Sequence, residues 1–327
     1  MRAVTATDFG GTDVLELCDV HMPIPGDQDL LVEVHSAAVN PVDFKIRRGA
    51  FRDRSQLPMV LGFDASGVVC AMGQRVEGFK SGDEIYVSPS LVRNGSNAEY
   101  VCVDARTAAR KPRCVDHMTA SAMPLATLTA WEALYERTSL ERNETVLIHA
   151  GGGGVGHIAI QLAKLKGARV LITASRDESI ELCLGYGADV VINYVEEDFV
   201  KRVLELTNGR GCDVVFDCVG GEVFDRSPAC VAVNGRIVTI VGSSESSALR
   251  DLFVRNITLH FEMMAAPTMY NINPQKQGQI LHEAAKLVDD GKLAVHISQA
   301  FPLVELAEAH QLQETEHVTG KIAIQVR

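Results

Sequence analysis

Apolar and polar residues follow two different rhythms in this chain, and the switch between them predicts two kinds of domain. Over the first hundred residues the rhythm is that of strands. Leu30-Leu31-Val32-Glu33-Val34 alternates at its end, Ser66-Gly67-Val68-Val69 is short and apolar, and Ala98-Glu99-Tyr100-Val101-Cys102-Val103 alternates with period two. Pro23, Pro25 and Gly26 mark a loop, and Ser81-Gly82-Asp83 marks a turn. Near residue 120 the texture changes. Residues 124–137 follow a helical pattern, and from 145 onward apolar strands alternate with helices. The strands fall at 146–148, 169–174, 189–193, 213–216 and 236–241. The helices between them run to 166, to 184, over 196–206 and over 222–230. Apolar runs separated by helices are the signature of βαβ units and of a parallel sheet buried on both faces. After about 265 the alternation stops. Asn273-Pro274 offers an N-cap and first-turn pair for a helix to about 290, Gly291 ends it, and 321–326 reads as a closing strand.

The most informative turn follows the first of the alternating strands. Val146-Leu147-Ile148-His149-Ala150 leads into a glycine run in which Gly151, Gly153 and Gly156 fit G-x-G-x-x-G, with Gly154 and Val155 between them. The run sits between an apolar strand and an amphipathic helix, the context in which such glycines let a backbone approach a pyrophosphate. Helix-start N–H groups then stabilise the charge. Dinucleotide binders that prefer NAD place a carboxylate at the end of the second strand. Here that strand ends Thr173-Ala174-Ser175-Arg176, a hydroxyl and a cation, which suit the 2′-phosphate of NADPH. Ser175-Arg176-Asp177-Glu178 also fits a helix capping box, and Asp177 is a second candidate for the ribose.

Composition narrows the partners. The 327 residues suggest two domains or one large one, and 46% hydrophobic with 22% charged residues is the balance of a folded protein. A net charge of −11 repels nucleic acid and anionic membrane surfaces. No apolar run approaches the length of a membrane span, and Asp8 interrupts the place where a signal peptide needs apolar residues. Eight scattered cysteines with no C-x-x-C pair read as reduced thiols, so a cytoplasmic location is expected.

These motifs, with Asn40-Pro41-Val42-Asp43, Ala98-Glu99-Tyr100-Val101, Leu128-Thr129-Ala130-Trp131, Gly185-Tyr186-Gly187-Ala188-Asp189, Ile192-Asn193-Tyr194, Asp217-Cys218-Val219-Gly220 and Gly320-Lys321-Ile322, resemble the medium-chain dehydrogenase/reductase superfamily. The zinc-free quinone oxidoreductase branch, which includes zeta-crystallin, is the best match, and the resemblance runs over nearly the whole chain. It implies an α/β protein with a GroES-like β-rich catalytic domain, residues 1–121 and 266–327, and an inserted Rossmann NADP-binding domain, residues 122–265. It also implies a homodimer joined at the edge strand around Asn256-Ile257-Thr258-Leu259-His260.

Alcohol dehydrogenases of that superfamily hold catalytic zinc with Cys and His where this chain has Asn40 and Phe63. The further cysteines they use are missing from 115–182 and from the stretch between Asp83 and Tyr100. Phe cannot bind a metal and Asn is a poor zinc ligand, so no metal is expected. Without a Lewis acid, the acceptor has to be electrophilic already, a quinone or an α,β-unsaturated carbonyl reduced by NADPH. The resemblance places Asn40 at the substrate and nicotinamide, with helix capping as the alternative for Asn40 and the preferred role for Asp43. Lys45 stands where many relatives carry Tyr. It is a candidate proton donor to the developing enolate, or an exposed helix lysine beside Arg47 and Arg48. Thr129 is expected near the nicotinamide, Tyr194 over the 2′-phosphate end, Gly242 and Ser243 at the nicotinamide ribose, and Lys321 either at the pyrophosphate or on the surface. Cys218, beside the cofactor strand, is the one thiol expected to be oxidation-sensitive. Two rival readings are a non-catalytic NADPH-binding redox sensor or structural protein, and a zinc alcohol dehydrogenase.

Overall fold

The structure, a computed structural model, describes residues 1–241, 248–316 and 318–327. The expected ribose contacts Gly242 and Ser243 lie outside the described residues. The chain forms two compact units, Met1–Leu128 with Ala265–Arg327, and Thr129–Met264. The first crossing comes later than the change of texture near 120. The N–H of Leu125 donates to Asp64, which ties the start of the helix Pro124–Trp131 to the first unit.

The Thr129–Met264 unit is built on a six-stranded sheet that is parallel throughout. Its spatial order is Val190–Asn193, Arg169–Ala174, Thr145–Ile148, Cys212–Asp217, Val231–Thr239 and Thr258–Phe261. The chain steps outward twice from Thr145–Ile148, then returns to pair Cys212–Asp217 with the other side of that strand. The carboxyl end of Thr145–Ile148 is therefore the point where strand order reverses, the place where ligands bind in open α/β sheets. Val146, Leu147 and Ile148 have no exposed surface, as a strand covered on both faces requires. Phe199, Val203, Phe224 and Leu252 pack against Leu147, Leu171, Val215 and Ile237 on one face.

The other unit holds a seven-stranded sheet. Its order is Ile297–Pro302, Lys321–Gln325, Asp29–Val39, Ala65–Met72, Glu84–Val87 and Ala109–Arg110, with Tyr100–Asp104 also paired to Asp29–Val39. Apart from the parallel pair at the start, all neighbours are antiparallel. A smaller sheet, Leu15–Asp19, Arg2–Ala6 and Met59–Val60, completes it. The apolar alternation of Leu30, Val32 and Val34 faces a core shared with Val69, Ile85, Val101, Leu306, Ile322 and Ile324. The late strand at 321–326 thus belongs to the β-rich unit.

Several helix limits differ from expectation for local reasons. The helix at 124–137 is α-helical only to Trp131 and continues as a π-helical turn, Glu132–Arg137. The helix expected at 196 starts at Phe199, because the Asp198 carboxylate caps the Lys201 N–H at 2.9 Å. The stretch 222–230 is an α-helix, Gly221–Arg226, followed by a 3-10 turn, Ser227–Cys230, where Pro228 supplies no N–H. Asn273 is in the left-handed region and the helix runs Gln275–Asp289. Among the described residues no helix is long and apolar enough to cross a membrane.

Candidate active site

The glycine run lies at the carboxyl end of Thr145–Ile148 and opens the helix Gly156–Leu165. Packing forbids a side chain at several of its positions. A Cβ on Gly156 would stand 2.3 Å from the carbonyl oxygen of Ala150, one on Gly151 2.8 Å from Cβ of Ile172, and one on Gly152 2.6 Å from Cβ of Ser179. Ala150 itself has φ +54°, and its N–H donates to Oγ1 of Thr173 at 3.1 Å. The N–H of Gly151 donates to the Thr173 carbonyl and that of Gly153 to the Ala150 carbonyl. The loop is therefore folded on itself and on the second strand. The amides of Gly154, Val155 and Gly156 begin a helix, where no preceding carbonyl is available within it. This is a cradle for a pyrophosphate, and the residues present fit a dinucleotide.

At the end of the second strand, Ser175 Oγ donates to the Tyr194 hydroxyl at 2.9 Å. The parallel pairing of Ala174 with Asn193 puts these two residues side by side. The capping box is not formed: the following helix, Asp177–Gly185, begins after Arg176 with no side-chain cap, because the Ser175 hydroxyl turns to Tyr194. Arg176 is exposed at the same tip. The structure thus brings together Ser175, Arg176 and Tyr194, three groups with donors for a phosphate.

Beneath the loop, His149 is buried, a residue that sequence reasoning had no cause to single out. Ser227 Oγ donates to the Val223 carbonyl at 2.7 Å, so it accepts from Nε2–H of His149 at 3.1 Å. Nδ1 then accepts from Thr173 Oγ1–H at 3.3 Å. Burial lowers the pKa of His149 to about 4, which keeps the ring neutral as this chain of bonds requires. Asp217, also buried, takes the N–H groups of Val219 and Gly220 and the hydroxyl of Thr239. Cys218 is half-buried, and desolvation first, and the neighbouring Asp217 charge second, push its thiol well above the ordinary range, which disfavours the thiolate. Thr129 is buried in the helix Pro124–Trp131.

The Asn-Pro turn lies in the other unit. Three adjacent strands of its sheet end beside one another. Val39 pairs with Ile322, and Ala37 pairs with Ala65. The residues just beyond these pairs, Asn40, Lys321 and Asp64, therefore come together. Asn40 Nδ2 donates to Asp64 Oδ2 at 2.8 Å, while Lys321 Nζ donates to Asn40 Oδ1 and lies 3.0 Å from Asp64 Oδ2. Asp43, in the first turn of the helix Pro41–Arg47, accepts the N–H of Asn40 at 2.8 Å and that of Gly62 at 2.9 Å. Burial raises Asp43 to about 7 against those bonds. Burial also raises Asp64, opposed by the Lys321 charge.

Lys321 is thus not a surface lysine; its ammonium is held inside the sheet. Asp43 does the helix-start work expected of it, but the Asn40 side chain faces Asp64 and Lys321. Lys45 is exposed on the helix. Lys321 is a second cation at the turn, reaching Asn40 from the far end of the chain. Asp64 was missed by the sequence reading, and the one available signal was a carboxylate inside the apolar stretch 59–69.

Residues 26–113 match the family model for the alcohol dehydrogenase GroES-like domain, and residues 186–324 match that for zinc-binding dehydrogenase. A zinc-type alcohol dehydrogenase-like protein of Staphylococcus aureus is 34% identical over 96% of this chain and 96% of its own. The chloroplastic NADPH-dependent alkenal/one oxidoreductase of Arabidopsis thaliana is 33% identical over 99% of this chain and 79% of its own. The Escherichia coli quinone oxidoreductase, solved in complex with NADPH, superposes with a TM-score of 0.90 at 28% identity, covering both chains fully.

The family description names zinc, and the residues at the turn do not fit it. Phe63 offers no ligand and is fully buried. The converging side chains are the Asn40 amide and the Asp64 carboxylate, both already bonded to the Lys321 ammonium, with Asp43 taken up by two backbone N–H groups, and without the thiolate or imidazole that zinc favours. Among the described residues no group of three or more His, Cys, Asp or Glu side chains is arranged to hold a metal. The paired GroES-like and Rossmann-type units, the glycine cradle and relatives of this similarity together place the chain in the medium-chain dehydrogenase/reductase superfamily, as an NAD(P)-binding oxidoreductase akin to the quinone oxidoreductases.

Proposed function

We propose that this protein is a zinc-independent, NADPH-dependent reductase of quinones or α,β-unsaturated carbonyl compounds. The observation that carries the reading is the tip of the second strand, where Ser175, Arg176 and Tyr194 stand together. Hydroxyls and a guanidinium suit a 2′-phosphate, which only NADPH carries. The alkenal/one oxidoreductase of Arabidopsis thaliana and the NADPH complex of the Escherichia coli enzyme support the same cofactor and acceptor class.

Bound NADPH supplies a hydride to the conjugated carbon of the acceptor. The electron pair displaced from that carbon ends on the carbonyl oxygen, which then needs a proton. Asp43 is spoken for by two backbone amides, and the Lys321 ammonium by Asn40 and Asp64. Lys45, exposed on the helix after the Asn-Pro turn, has no such partner among the described residues and is the proposed acid.

The working form is proposed to be a homodimer in the cytoplasm. The strand Thr258–Phe261 is the last of its sheet, and Leu249, Phe253, Val254 and Phe261 near it are exposed apolar residues. The deciding experiment follows NADPH oxidation on adding 9,10-phenanthrenequinone, an enal or an enone to the purified protein. Turnover that is faster with NADPH than with NADH is expected. Binding of NADPH without turnover of any acceptor would leave the sensor reading instead.

A further inference from the structure

Asn40, Asp43, Asp64 and Lys321 form a cluster shut off from water, at 3%, 0%, 0% and 3% exposure. Its polar atoms are accounted for from both sides. Asp64 Oδ1 takes the N–H of Leu125 at 2.7 Å, and its Oδ2 takes Asn40 Nδ2 and the Lys321 ammonium. The two oxygens of Asp43 take the amides of Asn40 and Gly62. The Asn40 carbonyl oxygen takes Lys321. A divalent ion at this turn would need Asn40 Oδ1 and Asp64 Oδ2, and the ammonium already stands between them.

We propose that Lys321 is the resident cation of this site. It supplies positive charge to the turn from within the sheet, and it fixes the Asn40 amide. The fixing follows from the hydrogen-bond inventory. An ammonium only donates and an ionised carboxylate only accepts. Lys321 therefore selects Oδ1 of Asn40 and Asp64 selects Nδ2. Reversing the amide would set donor against donor and acceptor against acceptor. One hydrogen of Nδ2 is left over, in one defined direction. On the reading that this turn borders the substrate, on which this part of the inference rests, Asn40 presents that hydrogen to the acceptor oxygen. Lys321 is then a positioning residue that acts through Asn40.

A buried ion pair survives poorly when one partner is removed, because the other charge is left without compensation. The test therefore pairs Lys321→Met with the charge-balanced double variant Lys321→Met/Asp64→Asn. Each is compared with the wild type for zinc retained after loading with zinc chloride and gel filtration, for Tm, for NADPH affinity and for turnover. The wild type is expected to retain no stoichiometric zinc. The double variant is expected to recover at least half of the Tm lost by the single one. With the double variant, kcat for an enone should fall about 10-fold or more while NADPH affinity stays unchanged, since the cradle belongs to the other unit. That split is one a merely structural lysine would not produce. Stoichiometric zinc that disappears in Asp64→Asn, a double variant no more stable than the single, or one with wild-type turnover would each overturn the proposal. If the wild type itself reduces no quinone or enone, the functional reading fails, yet the zinc and Tm arms still decide whether Lys321 is the resident cation.

Discussion

Lys321 Nζ lies 3.0 Å from Asp64 Oδ2, with both side chains out of water, although 257 residues separate them along the chain. The pair joins the last strand of the chain to the start of Ala65–Met72 across the end of Asp29–Val39. It gives the Asn-Pro turn a fixed internal charge. The expected chemistry then depends on which groups remain outside this cluster.

Arg176→Ala should weaken NADPH far more than NADH, because only NADPH carries the 2′-phosphate. A charge-assisted contact of about 1.5–3 kcal/mol corresponds to a loss of roughly 10- to 150-fold. Fluorescence titration with both cofactors measures it. Equal losses for the two would show that Arg176 does not read the phosphate.

Lys45→Met should lower kcat for an enone by about 10²- to 10⁴-fold, the range of general acid–base catalysis. The loss should be smaller for quinones, which are more electrophilic and lean less on an acid. NADPH affinity should hardly change. Steady-state kinetics with one enone and one quinone checks both, and a wild-type enone rate would assign Lys45 to the solvated helix face.

Gly156→Ala tests the cradle. The new methyl group would stand 2.3 Å from the Ala150 carbonyl oxygen and 2.7 Å from that of Gly151, both backbone atoms. The loop has to open, at a cost of about 1–3 kcal/mol. Thermal unfolding should register the strain. Isothermal titration should find NADPH and NADH weakened alike, unlike the selective effect at Arg176, and unaltered binding of both would place the phosphates elsewhere.

Glu132 and Glu262 are buried together beside Arg137, whose Nε donates to Glu262 Oε2 at 2.7 Å. Burial first, and the Glu262 charge second, push Glu132 up to about 9. Its proton is shared in a hydrogen bond with Glu262, whose Oε1 has no other donor among the described residues. An unfolded glutamate ionises near 4.5. Between that value and about 9 the folded protein holds a proton that the unfolded chain has released, so stability from this group falls as pH rises. Glu132→Gln removes that penalty and keeps a donor for Oε1. Its stability relative to the wild type should therefore grow with pH across this interval, by up to ~1.4 kcal/mol per unit. Urea unfolding of both proteins at the two ends of the interval measures the difference. A constant difference would mean that Glu132 is ionised in the fold.

The dinucleotide-binding half was legible because its signals are local. Apolar strands with helices between them, and glycines where a Cβ would strike Ala150 or Ile172, are written within about thirty residues of one another. Ser175 and Arg176 were readable for the same reason, being neighbours at the end of one strand. The strand pairing that turns Ser175 toward Tyr194, and so denies the helix its cap, depended on a second strand. The catalytic half was legible as a β-rich unit, and Asn40 and Asp43 as a helix start. The sequence alone determined these elements and the families of chemistry they serve. What only the tertiary structure decided is which charges are buried together. Sheet order and register set Lys321, Asn40 and Asp64 side by side from three distant strands. A lysine that looks like a surface residue is thereby buried against Asp64 and Asn40, which compensate its charge, while Lys45, five residues from Asn40, stays in water.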